Sequence, residues 1–191
     1  MRRGLSNLRV PFYFLLLCLI WGATYAIIKI GLLHSPPLAF TFLRAALAGV
    51  LLSAYALLAT RHFPTSRRFH AEAVVLGLTN VALFWGTMNL GLTRISAGES
   101  SILIYTQPLM VSVLAWAFLH EGLPARKGLG LLVGFAGVVV VVASKVQLGE
   151  QLSWIGYAAT LVGALSWAIG TVFYKARQSS LDLLWITALQ A

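Results

Sequence analysis

The stretch Leu19-Ile-Trp-Gly-Ala-Thr-Tyr-Ala-Ile-Ile-Lys29 holds two residues, Trp21 and Lys29, that return later in the chain at one fixed distance as Trp167 and Lys175. Arg44 is matched at the same distance by Gln190, and all three pairs are 146 residues apart (167 − 21, 175 − 29, 190 − 44). Two identities and one polar replacement at a common offset mark an internal repeat. The chain that carries it is strongly apolar: 59% of its 191 residues are hydrophobic and 10% are charged. One soluble core of this size cannot hide that much apolar surface, so the sequence reads as an integral membrane protein.

Apolar runs near the roughly 20 residues that cross a bilayer predict helices at about Pro11 to Leu32, Pro37 to Thr60, Ala71 to Leu92, Ala97 to Leu119, Gly128 to Ala143 and Ser153 to Tyr174. A seventh opens at about Leu181 and is too short by Ala191 to cross at about 1.5 Å per residue. The fifth run is the shortest and calls for flanking residues or local bilayer thinning to span. Arg2, Arg3 and Arg9 ahead of Phe12 to Ile20 imitate a secretory signal, but the apolar stretch continues through Trp21, Tyr25 and Ile28 to Leu33, beyond a signal core. The predicted fold class is an all-α polytopic transmembrane bundle.

Basic residues set the orientation, because cytoplasmic loops retain Lys and Arg. With the amino terminus inside, the inner side holds Arg2, Arg3, Arg9, Arg61, Arg67, Arg68, Arg126, Lys127, Lys175 and Arg177, and the outer side holds Arg94 and Lys145. This split accounts for the net charge of +9 through topology and anionic lipid headgroups, with no nucleic-acid partner. Five helices separate the start of the first copy from the start of the second. The second copy therefore enters from the opposite side, and the repeat is inverted. Inverted repeats form opposed cavities that exchange access around a shared midplane site.

The Leu19–Lys29 stretch, followed by Pro37, Phe42, Arg44 and Ala45, resembles the opening of EamA-type proteins of the drug/metabolite transporter superfamily. Ser96, Ala97, Pro108 and Glu121, with Gly130, Gly137 and Val138, resemble that family's fourth and fifth helices. The resemblance implies ten helices in two inverted units of five, around a central cavity that moves small metabolites, often outward. Residues 1–146 would be the first unit and 147–191 an incomplete start of the second. Two full units need about 290 residues, twice the repeat. The expectation is a fragment of a longer protein, truncated after about six and a half helices; the alternative is a short product that completes its cavity with another chain. Membrane-coding sequence continuing beyond Ala191 for about 100 residues fits the fragment.

Lys29 is expected near the outer end of the first helix, where its stem either snorkels to the headgroups or closes the outer mouth and attracts an anionic solute. The repeat makes Lys175 its counterpart at the inner end of the sixth helix. Arg44 lies seven residues beyond Pro37, roughly 10 Å along its helix. A charge at that depth faces a cavity or a partner rather than lipid, and Glu99 is the available acid on that side. Gln190, at the equivalent point, keeps hydrogen-bonding capacity without charge. Trp21 and Tyr25 share one helix face, as do Trp85 and Asn89, and aromatic residues with polar tips suit a wall that grips organic solutes as well as they suit packing.

Tyr105, Thr106, Gln107 and Pro108 form the most polar patch in a predicted helix centre. Pro108 frees the carbonyl of Ile104, and interrupted midplane helices build transporter sites. Tyr105, Ser112 and Trp116 extend one face from there. Gly156, Gly163 and Gly170 on the sixth helix, and Gly130, Gly134 and Gly137 on the fifth, predict faces of close helix contact. Glu121 reads as an inner loop brace, with Arg126 and Lys127 close behind.

His34, His62, His70 and His120 fall at helix ends or in loops without metal-ligand spacing, and the chain carries no P-loop. No serine or cysteine has a mid-membrane histidine to activate it, and Cys18 stands alone. No enzyme, metal or cofactor is expected, and energy would come from a gradient or from exchange. The leading reading is a secondary transporter in a bacterial-type inner membrane, moving small organic metabolites such as amino acids. The alternatives are a small multidrug exporter working as a homodimer, disfavoured because Phe12 to Leu33 holds no acid, and a scaffold, partner subunit or inactive fragment.

Overall fold

Each apolar run becomes a helix, because in a bilayer the backbone donors and acceptors must pair within the segment that carries them. The computed structural model describes residues 2–147, 153–177 and 182–191. Among these residues the chain forms seven helices and no strand: α1 (Arg2–Leu32), α2 (Pro37–Thr60), α3 (Arg67–Leu92), α4 (Ala97–Leu119), α5 (Ala125–Gln147), α6 (Trp154–Arg177) and α7 (Leu183–Gln190). Five of them, α1 from Val10 onward, α2, α3, α4 and α6, are long and apolar enough to cross a membrane. The chain is a multi-span membrane protein.

Several helices run beyond their apolar stretches. Helix α1 includes Pro11 and begins at Arg2, α3 begins at Arg67 rather than Ala71, and α5 covers Ala125–Gln147 rather than Gly128 to Ala143. Arg and Lys at a helix end keep the helical backbone, while their stems carry the charge toward the headgroups. Leu181, the predicted start of α7, lies outside the described residues; Asp182 caps that helix by accepting from the amides of Leu184 (3.0 Å) and Trp185 (3.2 Å).

Half of the α6 span is buried, against 6% for α1 and 11% for α2, so α6 is the centre of the described bundle. Its small-residue face makes that possible. A Cβ on Gly156 would lie 2.7 Å from Ile95 Cγ2, and one on Gly163 would lie 2.9 Å from Thr87 Oγ1; a Cβ on Gly170 would collide with Asn80 and Thr79. Gly163 and Gly170 let α3 approach the α6 backbone, and Gly156 admits the turn that follows α3. On α5 the expected glycine face is reduced to Gly134, which meets Leu109, while Gly130 and Gly137 have open space beside them.

Two of the spanning helices are irregular along their length. Residues Gly77–Leu83 of α3 form a π-helix, and Ser166 of α6 donates to the carbonyl of Thr79 within it (2.8 Å). Helix α4 breaks at Tyr105 and Thr106, two residues before Pro108, and Thr106 Oγ1 donates to the carbonyl of Leu103 (2.6 Å). Two apolar clusters flank these irregularities. One joins Ile28, Phe84, Met88, Leu92, Ile104 and Ala164, and the other joins Ala56, Phe69, Leu76 and Trp185 with their neighbours.

Candidate functional site

A cavity of about 480 Å³ opens between α1, α2, α3, α4, α6 and the end of α7. Its walls include Trp21, Tyr25, Arg44, Trp85 and Tyr105 from the sequence-derived candidates. Trp21 and Trp167 meet edge to face with ring centroids 6.4 Å apart, Trp167 stacks on Phe84 at 4.7 Å, and Tyr25 approaches Tyr105 at 6.5 Å. Six aromatic rings thus frame the space.

Arg44 is the one charged residue among the described lining residues. Its guanidinium carbon sits 3.8 Å above the Trp85 ring, and its buried Nε has no hydrogen-bond partner. A stack of this kind contributes about 0.5–2 kcal/mol, whereas insertion scales put the cost of an arginine at about 2.5–3.5 kcal/mol at a helix centre, the upper bound for Arg44 at the eighth position of the 24-residue α2. The aromatic face therefore offsets part of the cost of burying the charge. Also in the cavity wall, Asn80 donates to Gln190 Oε1 (3.3 Å), and its own carbonyl oxygen is buried without a partner.

Glu99 is not the partner of Arg44. It closes a capping box at the start of α4, accepting from the Ser96 amide (2.8 Å) while Ser96 accepts from the Glu99 amide (3.1 Å). Its second oxygen accepts from the Tyr157 hydroxyl of α6. The N-terminal position explains this: the free amides of a first turn are a ready anion site close at hand.

Neither lysine lines the cavity. Lys29 crosses to the C-terminal end of α3 and donates to the carbonyls of Leu92 (2.9 Å) and Ile95, where unpaired carbonyls and the helix dipole favour a cation. Lys175 pairs with Glu121 at 2.5 Å, so the brace of Glu121 comes from α6 rather than from Arg126 or Lys127. Helix α4 is thus tied to α6 at both ends, through Glu99–Tyr157 and Glu121–Lys175.

Four candidates lie away from the cavity lining. Asn89 is fully buried and donates to Thr41 Oγ1 of α2 (2.7 Å), Gln107 donates to Thr171 of α6 (3.1 Å), Thr106 is buried at the α4 break, and Pro108 starts the second half of that helix. The candidate set in turn lacked Asn80, Trp167 and Gln190. The last two carried a sequence signal, standing 146 residues after Trp21 and Arg44. Asn80 carried a weaker signal, an amide side chain in the middle of an apolar run.

The sequence model of the EamA-like transporter family matches residues 8–143. The chain belongs to that family. This EamA-like chain is 35% identical over 188 residues to the uncharacterized transporter YvbV of Bacillus subtilis, covering 98% of the chain and 61% of the relative. It is 28% identical over 170 residues to YoaV of the same organism, covering 89% and 58%, and 31% identical over 163 residues to the inner membrane transporter YedA of Escherichia coli, covering 82% and 50%. The EamA-like chain therefore spans between half and about three fifths of the length of these curated relatives. No solved structure matches it.

Proposed function

We propose that this chain forms much of a secondary transporter that exports or exchanges small organic metabolites, amino acids or related solutes, by alternating access across a bacterial-type inner membrane. Residues 1–146 make the first five-helix unit in this reading, and 147–191 open its inverted repeat, with the amino terminus in the cytoplasm. The observation that carries it is the meeting of repeat-related residues at one place: Trp21 with Trp167 and Arg44 with Gln190 all line the same cavity. Substrate sites between inverted repeats fall where the copies meet. Tyr25, Trp85 and Tyr105 would complete the wall that holds the solute.

Lys29 and Lys175 serve in this reading as end latches, with Glu99 joining the first group through Tyr157. The test is counterflow with the protein reconstituted in the longest form that its gene encodes. Vesicles preloaded with an unlabelled amino acid should accumulate the labelled one transiently above unloaded vesicles. Equal uptake by both, across a panel of amino acids and organic acids, removes the carrier reading.

A further inference from the structure

We infer that the cavity recognises its solute by a carboxylate bound at Arg44, and prefers organic monoanions with an aromatic or apolar body over neutral or cationic analogues of the same shape. This rests on the transport reading for its biological meaning and on the cavity geometry for its chemistry.

The first observation is the accounting of acidic groups. Of five acidic residues, four are described, and all are engaged at helix ends. Glu72 pairs with Arg68 at 3.2 Å and Arg177 at 4.0 Å, Glu99 caps α4 and receives Tyr157, Glu121 holds Lys175, and Asp182 caps α7. Arg44 makes no ion pair or hydrogen bond with a described residue, and its Nε is buried and unpaired. A guanidinium always carries its charge and presents a planar fork of donors that matches a carboxylate. With one face on Trp85, the edge of that fork is what remains for a ligand.

The second observation is the wall. The surfaces around the charge are aromatic, from Trp21, Tyr25, Tyr105 and Trp167, and aliphatic, from Ile28, Val81 and Met88, and the described lining residues include no acid to receive an ammonium group. Asn80 and Gln190 add amides to the lining without adding charge. One cation among neutral rings selects for a single negative charge on a flat or apolar body.

The test is saturable binding of radiolabelled phenylacetate by the protein in lipid nanodiscs, with phenylacetamide and phenethylammonium as competitors. A hydrogen-bonded charge in a shielded site corresponds to a preference of about tenfold or more. Phenylacetate should therefore outcompete the amide by at least about tenfold, and phenethylammonium should not compete. Arg44→Gln should abolish the preference, while Arg44→Lys should keep the preference for the anion at lower affinity; the ligand series on the unsubstituted protein decides the matter should either variant misfold. Equal affinity for phenylacetate and phenylacetamide overturns the inference. So does loss of phenylacetate binding when the discs are enriched in phosphatidylglycerol, which would make Arg44 a headgroup site. Carboxylate preference without counterflow sinks the transport reading alone, and counterflow of neutral solutes without carboxylate preference sinks this inference alone.

Discussion

Trp21 of α1 and Trp167 of α6, 146 residues apart in sequence, stand edge to face in the cavity wall with 6.4 Å between ring centroids. Edge-to-face pairs contribute about 0.5–1.5 kcal/mol beyond area burial. In a double-mutant cycle on thermal unfolding in detergent, Trp21→Ala and Trp167→Ala should show a coupling of that size. Strict additivity would mean that the two rings are neighbours without being partners.

The α3–α6 contact depends on the absence of side chains on α6. Gly170→Leu places atoms where Asn80 and Thr79 already stand, and overpacking of that kind costs about 1–3 kcal/mol or more. The unfolding temperature should fall clearly. Gly137→Ala on α5, where nothing lies within 4 Å, should leave it unchanged or raise it, since alanine is the better helix former by about 1 kcal/mol. Equal losses at both sites would argue against the packing described.

Lys175 and Glu121 are 48% and 39% exposed, and a pair so wetted contributes about 0–1 kcal/mol to stability. Lys175→Glu and Glu121→Lys should each leave unfolding within about 1 kcal/mol while changing the counterflow rate. The charge-swapped double variant should restore that rate. A swap that fails to restore it would assign the pair to structure alone.

Charge asymmetry makes the membrane orientation testable without purification. Alkaline phosphatase fused after Thr65 or Gly122, in loops next to Arg67, Arg68, Arg126 and Lys127, should be inactive, because positive loops stay in the cytoplasm. Fusions after Ser35 or Arg94 should be active. The reverse pattern would invert the proposed topology.

Helix number and order were legible because a bilayer demands long apolar runs, and the runs from Pro37 and Ala97 begin where α2 and α4 begin. The ends were harder to read. Arg67, Arg68, Arg126 and Lys127 look like loop residues, yet a helix leaving the hydrocarbon needs no apolar side chains to continue. Within the cavity, Trp21, Tyr25, Arg44, Trp85 and Tyr105 could be found from aromatic character and depth. Asn89 could not be placed, since only the crossing of α2 shows that Thr41 receives its amide. Thr106 and Gln107 follow Tyr105 in sequence but turn away from it at the α4 break, and no helical periodicity crosses a break.

The π-helical segment of α3 has one more consequence. Asn80 and Trp85 both border the cavity although they are five residues apart; on an unbroken α-helix that spacing points side chains about 140° apart, given 3.6 residues per turn. A π-turn, which bonds each residue to the fifth one along, brings such a pair back toward one side. Gly77–Leu83 thus acts as a phase shifter, resetting the angular register of everything upstream relative to Phe84–Leu92. Removing a single residue from it would swing the amide of Asn80 by about 100° while leaving the platform under Arg44 where it is.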